Sequence, residues 1–383
     1  MTDAILALNA GSSSIKFALA ASGQADKPLL SGLAERLGTG EGTLRLNPRA
    51  GDPETRALGA CDHHTALAAL CDVIHDRHPD LPMTGIGHRI VHGGPDFAAP
   101  VAVTDDVLAR LEALVPLAPL HQPNGIAGIR ATRALFPDAG QVACLDTAFH
   151  AGKPWVHDAY ALPAQYYADG LRRYGFHGLA CESVCDSLTV RDYPLSERRI
   201  AIAHLGNGCS VTAVRGGRSV ATSMGFSALD GLTMGTRCGH IDPGVLLHLL
   251  REGYNAASLE RLLYHDSGLR GLSGISSGDM RDIAASDSDT ARGAIAHFIA
   301  RAVEEICRLA GAMGGLDTVV FSGGIGENAA DIRQAIAEGL AFLPGHDGRG
   351  VDVLVCPADE ERRILTATEQ VLKPVAGGSR PAR

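Results

Sequence analysis

Two short turns built from the same small residues constrain this chain more than anything else in it. Leu8-Asn9-Ala10-Gly11-Ser12-Ser13-Ser14 and Leu205-Gly206-Asn207-Gly208-Cys209-Ser210 each join two apolar, strand-like runs, 4–9 with 15–20 and 199–205 with 210–214. Both read as hairpins. A turn of Gly and Ser leaves backbone N–H groups and hydroxyls open to an anion, as a phosphate chain requires. One such turn is an ordinary hairpin. Two of them, with a third Gly-rich junction at Gly323-Gly324-Ile325-Gly326 after the strand 319–322, point to phosphate binding. The echo also suits two related halves, each opening with strand–turn–strand; two short matches arise by chance as well, and the echo alone does not choose.

The remaining pattern alternates. Helices are expected over 64–78, 104–115 with Thr104 as N-cap, 124–136, 178–190, 243–252, 290–313, 328–340 and 359–373. Strands are expected over 85–92, 141–145 and 351–355, and the tail Gly377–Arg383 is expected to be loose. This is an α/β protein, and 383 residues suit two or three domains.

A net charge of −9 without a dense Lys/Arg cluster disfavours a nucleic-acid partner. No window approaches about 20 apolar residues, so no membrane span is expected. The start Met1-Thr2-Asp3 lacks a basic region, so no signal peptide is expected. Nine scattered cysteines without a Cys-x-x-Cys pair read as reduced thiols in a cytoplasm. The Walker, dinucleotide-binding, zinc-protease and α/β-hydrolase motifs do not occur.

Four charged or titratable residues interrupt or follow apolar strands or sit in Gly-rich loops: Arg89, Asp146, His177 and Arg237. One alone would read as a structural ion pair, because a buried charge is costly unless paired. Four beside phosphate-type turns read as functional, with Arg89, Arg237 and His177 as a clamp for charge on a transferring phosphoryl group. His88 and His92 read as satisfied or exposed rather than as ligands, and His63-His64 as a surface pair. Magnesium held mainly by phosphates needs only one or two protein oxygens, and Asn9 with Glu360 or Glu361 are candidates that spacing alone cannot test.

Taken in order, these residues resemble the acetokinase family, kinases of short carboxylates within the actin-like, sugar-kinase and heat-shock ATPase superfamily. The resemblance covers nearly the whole chain. It rests on Leu8 to Phe17, His88-Arg89-Ile90-Val91-His92-Gly93-Gly94, Leu117 to His121, Asp146-Thr147-Ala148-Phe149-His150, Tyr174 to Gly178, His204 to Gly208, Met234 to Arg237 and Ser322 to Asn328.

The resemblance implies two duplicated RNase H-like, actin-like ATPase domains, 1–150 with 362–383 and 151–361, with an active-site cleft between them and the second domain binding the nucleotide. It implies a cytoplasmic homodimer that moves the γ-phosphoryl group of ATP onto acetate, giving acetyl phosphate and ADP, with Mg2+ or Mn2+ as the metal. Asn9 and Glu360 would hold the metal. Lys16, His204, Leu205, Gly206, Asn207, Gly208, Asp279, Met280, Arg281, Gly324, Ile325, Gly326, Glu327 and Asn328 would face the nucleotide. Arg89, Val91, Leu120, Phe176 and Ala228 would meet the acceptor, and Asp146, His177 and Arg237 match the catalytic positions.

Acetate is ionised at about pH 7, so its attack on phosphorus needs no proton removed and a general base gains little. Asp146 is therefore expected to orient Arg89 or a metal-bound water. The chain departs from the family pattern at Ala228, where Pro is common, at His240 for an acid, at Gln122 for Asn, and in one extra residue across Ser276-Ser277-Gly278. The smaller Ala228 keeps propionate open as acceptor, an effect of about 1–3 kcal/mol at most. An actin-like ATPase without a small acceptor would leave the four polar residues without a task.

Overall fold

The computed structural model describes residues 3–11, 13–119 and 121–373. Two compact units emerge, Met1–Ala148 with Asp359–Arg383, and Phe149–Ala358.

In the first unit β1 (Ala4–Ala10) and β2 (Ser14–Ala21) form the expected hairpin, with Asn9 directly opposite Lys16. The meander continues through β3 (Leu30–Glu35), β4 (Gly42–Pro48) and β5 (Glu54–Gly59), which the sequence pattern did not reveal. β6 (Met83–Ile90), β7 (Val101–Ala102) and β8 (Gly140–Leu145) complete the sheet in the order β5-β4-β3-β2-β1-β6-β8-β7. Leu6, Leu8, Phe17, Leu30, Leu44 and Leu46 of these strands are buried against Leu67, Leu70 and Ile74 of the helix His63–Arg77. His63 is not the surface residue expected: its Nε2 lies 2.7 Å from the Gly11 carbonyl, tying the helix to the first turn.

The C-terminal helix Glu360–Leu372, N-capped by Asp359, packs on β1, β6 and β8. Glycine permits the close approach: a Cβ on Gly87 would lie 2.1 Å from Thr368 Oγ1 and 2.6 Å from Ile364 Cγ2. Ile364 and Leu365 are fully buried, each worth about 1.5–3 kcal/mol. This docking brings the first turn of the helix to the end of β1.

In the second unit β9 (Arg199–Leu205), β10 (Cys209–Arg215) and β11 (Arg218–Thr222) are antiparallel, and β12 (Thr318–Ser322) and β13 (Asp352–Val355) run parallel to β9 in the order β11-β10-β9-β12-β13. The first unit contains the same plan in β3-β2-β1-β6-β8, three antiparallel strands followed by two parallel ones. That shared topology is the duplication the two turns hinted at. Val184 and Leu188 of the helix Gly178–Val190 cover Ile200, Ile202 and Val214. The Gly-rich run after β12 is itself helical, Gly323–Asn328, followed by a separate helix Ala330–Gly339, where a single helix from 328 was expected.

Among the described residues no helix is long and apolar enough to cross a membrane. The expected loose tail and Leu120 lie outside the described residues.

Candidate active site

In the first unit the sheet gathers the expected residues around Arg89. This side chain leaves β6 and donates from Nε (2.9 Å) and Nη2 (2.5 Å) to Asp146 Oδ2. Asp146, directly after β8, is fully buried, and its backbone N–H bonds to Ile90 O, fixing the carboxylate beside the strand that carries Arg89. Arg89 Nη1 donates to Asn9 Oδ1 at 3.2 Å. Asn9 Nδ2 in turn donates to Glu360 Oε2 (2.8 Å) and Glu361 Oε1 (3.0 Å). Burial works against the Arg89 charge, but Asp146, Glu360 and Glu361 outweigh it and hold its pKa above the ordinary arginine value. Burial, and then Glu360 beside it, pushes Glu361 up, with Lys16 acting in the opposite sense.

The donor set suits a hard cation: two carboxylates on one helical turn facing an amide. Asn9, however, turns its NH2 to the carboxylates and its oxygen to Arg89, so it ligates only after a half-turn of its amide. Among the described residues no group of three or more His, Cys, Asp or Glu side chains is placed to hold a metal. Val91, just past β6, is buried.

His88 and His92 are buried neutral histidines. His88 Nε2 lies 2.7 Å from Gln141 Oε1, and burial lowers its pKa to about 4. His92 Nδ1 accepts from Gly94 N at 2.8 Å, and burial lowers its pKa to about 4 as well. Gln122, one of the departures, grips the same turn: Oε1 accepts from His92 N and Nε2 donates to His92 O, both at 3.0 Å.

In the second unit His177, His204, Gly208 and Arg237 converge. His177 occupies the left-handed region (φ 58°) at the start of the helix Gly178–Val190, an uncommon conformation for a side-chain-bearing residue. Its Nδ1 lies 3.0 Å from Ser210 Oγ, and its ring tilts over His204 with centroids 4.9 Å apart. Ser210 and His204 are partners across the β9–β10 hairpin. Ser210 as a partner of His177 was not evident in the sequence; its pairing with His204 across that hairpin was the available signal. A Cβ on Gly208 would meet His177 Nε2 at 3.1 Å and Arg237 Nη2 at 3.5 Å, so both side chains close on this glycine. Arg237 Nη1 donates to Ala228 O at 2.9 Å. Leu205 is buried at the end of β9, and Phe176 is buried with its carbonyl 2.9 Å from His150 Nε2.

Some of the other expected nucleotide residues approach this turn through glycines. Gly235 donates its N–H to Asn207 O (3.1 Å), and a Cβ on Gly278 (φ 64°) would strike Gly235 O at 2.6 Å. The extra residue at 276–278 thus packs the turn before Asp279 against the loop that holds Asn207. Asp279 caps the helix Met280–Ala284, and Met280 is buried. Arg281 is exposed and paired with Asp279 at 2.7 Å, so it stands apart from the convergent group. Gly206 lies close to Gly324, whose N is 3.7 Å from its Cβ position. Glu327 folds back to accept from Gly323 N (2.9 Å), and Asn328 donates to Gly324 O (2.9 Å). Ile325 and Gly326 complete this short helix.

With the geometry in view, the chain can be compared with known proteins. The profile of the acetokinase family matches residues 4–362. A curated acetate kinase of Methylocella silvestris is 43% identical, covering 98% of this chain and 100% of that protein. The crystal structure of a propionate kinase from Francisella tularensis is similar with a TM-score of 0.88 and 34% identity, over 97% of this chain and 100% of that one. That of Porphyromonas gingivalis acetate kinase is similar with a TM-score of 0.86 and 33% identity, again over 97% and 100%.

Proposed function

The chain belongs to the acetokinase family, and from that premise we propose how its residues carry out the transfer of the ATP γ-phosphoryl group to acetate. The enzyme is a kinase with a carboxylate acceptor, and ATP is its substrate. The observation that supports the residue-level reading best is the Arg89–Asp146 fork, with Asn9 and two glutamates behind it.

The chemical problem is the meeting of two anions. Arg89 binds the acceptor carboxylate and offsets its charge. Asp146 aims Arg89 and keeps it charged; its own basicity is not used. His177 and Arg237 stabilise charge on the transferring group, and the tie of His177 to Ser210 fixes the orientation of its ring. Lys16, the turn Gly206–Gly208, the start of the helix Gly323–Asn328 and the turn before Asp279 hold the nucleotide. Glu360, with Glu361 and a turned Asn9, would hold magnesium, which would supply neutralisation of phosphate charge.

The units Met1–Ala148 with Asp359–Arg383 and Phe149–Ala358 correspond in this reading to two RNase H-like domains, the second binding the nucleotide. A homodimer is supported by the helix Pro243–Arg251, which has no buried residue and exposes Val245, Leu247 and Leu250. A cytoplasmic location suits the nine cysteines, none in a disulfide among the described residues.

Ala228 favours one second reading, in which propionate is also accepted. A hydroxamate assay with ATP and magnesium, comparing acetate, propionate and butyrate, tests both. Acyl phosphate from acetate, with propionate next, is expected; product from none of the three would sink the assignment.

A further inference from the structure

We propose that Tyr160, Arg173 and Asp230 are positioning residues that set the acceptor specificity of this enzyme by fixing the loop that carries Ala228 and Arg237. The inference rests on the reading that Phe176 and Ala228 line the acceptor pocket.

Between β11 and the helix Pro243–Arg251 the chain has no helix or strand, yet it holds Ala228 and Arg237 in place. Backbone polar groups in such a stretch need partners from elsewhere. The N–H of Phe226, two residues before Ala228, donates to the Tyr160 hydroxyl at 2.8 Å. The Arg173 guanidinium lies over the Tyr160 ring, 4.6 Å from its centroid, and its Nη1 pairs with Asp230 Oδ2 at 2.7 Å. Asp230 Oδ1 accepts from Gly231 N at 2.9 Å and lies 3.1 Å from His240 Nδ1, so one carboxylate spans both ends of the Arg237 loop. This gives the departure at His240 a place: its imidazole meets the carboxylate of Asp230.

The assembly leaves no slack. A Cβ on Gly225 would lie 2.3 Å from the Tyr160 hydroxyl and 2.5 Å from Asp230 Oδ2. Gly225 O accepts from Gly175 N at 3.2 Å, which joins the loop to the Tyr174-Gly175-Phe176-His177 turn. From the other side Arg237 Nη1 holds Ala228 O. Displacing the Phe226 amide therefore moves the pocket wall and Arg237 together, while the turn 206–208, which meets this loop at the Gly235 N–H, keeps its own Gly206–Gly208 bond. Acceptor binding and selectivity should respond, and nucleotide binding should not.

The test uses the full-length enzyme with Tyr160→Phe, Arg173→Lys and, as a control on the pocket itself, Ala228→Pro, each checked for a wild-type-like melting curve. KM and kcat are measured for acetate, propionate and ATP. Tyr160→Phe is expected to raise the KM for acetate about tenfold and shift the propionate-to-acetate kcat/KM ratio at least about threefold, within the range one methylene can command, with the KM for ATP within about twofold of wild type. Arg173→Lys keeps the charge but loses the planar stack on Tyr160, so it should shift the same ratio to a smaller extent. If Ala228→Pro changes the ratio while folded Tyr160→Phe and Arg173→Lys both leave it at the wild-type value, the positioning role is overturned and the pocket reading stands. An unchanged ratio in all three variants removes the pocket reading and the inference with it.

Discussion

Arg89 directs Nε and Nη2 at a single oxygen of Asp146, at 2.9 and 2.5 Å, while Asp146 itself is fully buried. The fork demands the planar guanidinium. A lysine supplies one point charge on a flexible stem and cannot make both bonds. Arg89→Lys should therefore lose about 100-fold or more in kcat/KM for acetate, because a misplacement of about 1 Å carries that penalty. Removing the side chain, as in Arg89→Met, should also destabilise the unit by on the order of 3 kcal/mol, the lower end for breaking a buried pair, since Arg89 keeps some solvent contact. A shift in the thermal midpoint measures the second effect.

Gly208 separates a catalytic effect from a stability effect. Its φ is not in the left-handed region, and the nearest atoms to an added Cβ are the side-chain ends of His177 and Arg237. Gly208→Ala should melt within about 1 kcal/mol of wild type yet lose about 10- to 100-fold in kcat, as both side chains are pushed off target. Parallel melting and steady-state measurements check it.

How much of this was legible in the sequence depends on the range of the interaction. The hairpins, the capped helix Asp105–Ala113 and the strands β8 and β12 follow from local periodicity and caps, and were readable. The meander β3–β5 was not: Ser31 and Gly32 interrupt the apolar pattern of β3, the alternation of β4 rests on Leu44 and Leu46 alone, and β5 has no buried residue. The glycine run 323–326 read as a junction ahead of a helix from 328, yet Glu327 folds back onto the Gly323 amide and the helix starts there. In the site, the residue types at 89, 146, 177 and 237 were conspicuous because charge interrupts apolar runs. The links that organise them were legible only through the family resemblance, which paired Asn9 with Glu360 across 351 positions, or not at all, as where His63 reaches back to Gly11 across 52.

Acid should weaken the fold before it reaches most carboxylates. Burial lowers the pKa of His88 and His92 to about 4 and of His150 to about 3. The unfolded chain protonates each near pH 6.5, so below that value it binds protons the folded chain refuses, and stability falls as pH drops from about 6.5 towards 4. Each histidine should remove about 2 kcal/mol by pH 5. Urea or thermal unfolding at stepped pH reads the slope, and His88→Gln should make it shallower by about one proton.

If the helix Pro243–Arg251 is the face that pairs two copies, a charge on it should separate them. Leu247→Asp places a carboxylate on a side chain that is 53% exposed in the single chain. It should leave the melting of the isolated chain nearly unchanged and shift the species seen by light scattering from about two chains to one. Monomers in the unsubstituted protein would remove the dimer from the account.

The role of Asp146 is the sharpest point of the account, and the pH dependence of acetyl phosphate formation tests it most directly. Asp146→Asn keeps the shape but removes the charge that aims Arg89. If Asp146 only orients, the variant should show a lower kcat and a raised KM for acetate at every pH, with a pH–rate curve of unchanged form. If Asp146 accepts a proton in the reaction, the variant curve should lack the acidic limb that the unsubstituted enzyme shows, and that result would contradict the reading of phosphoryl transfer here as charge management without a base.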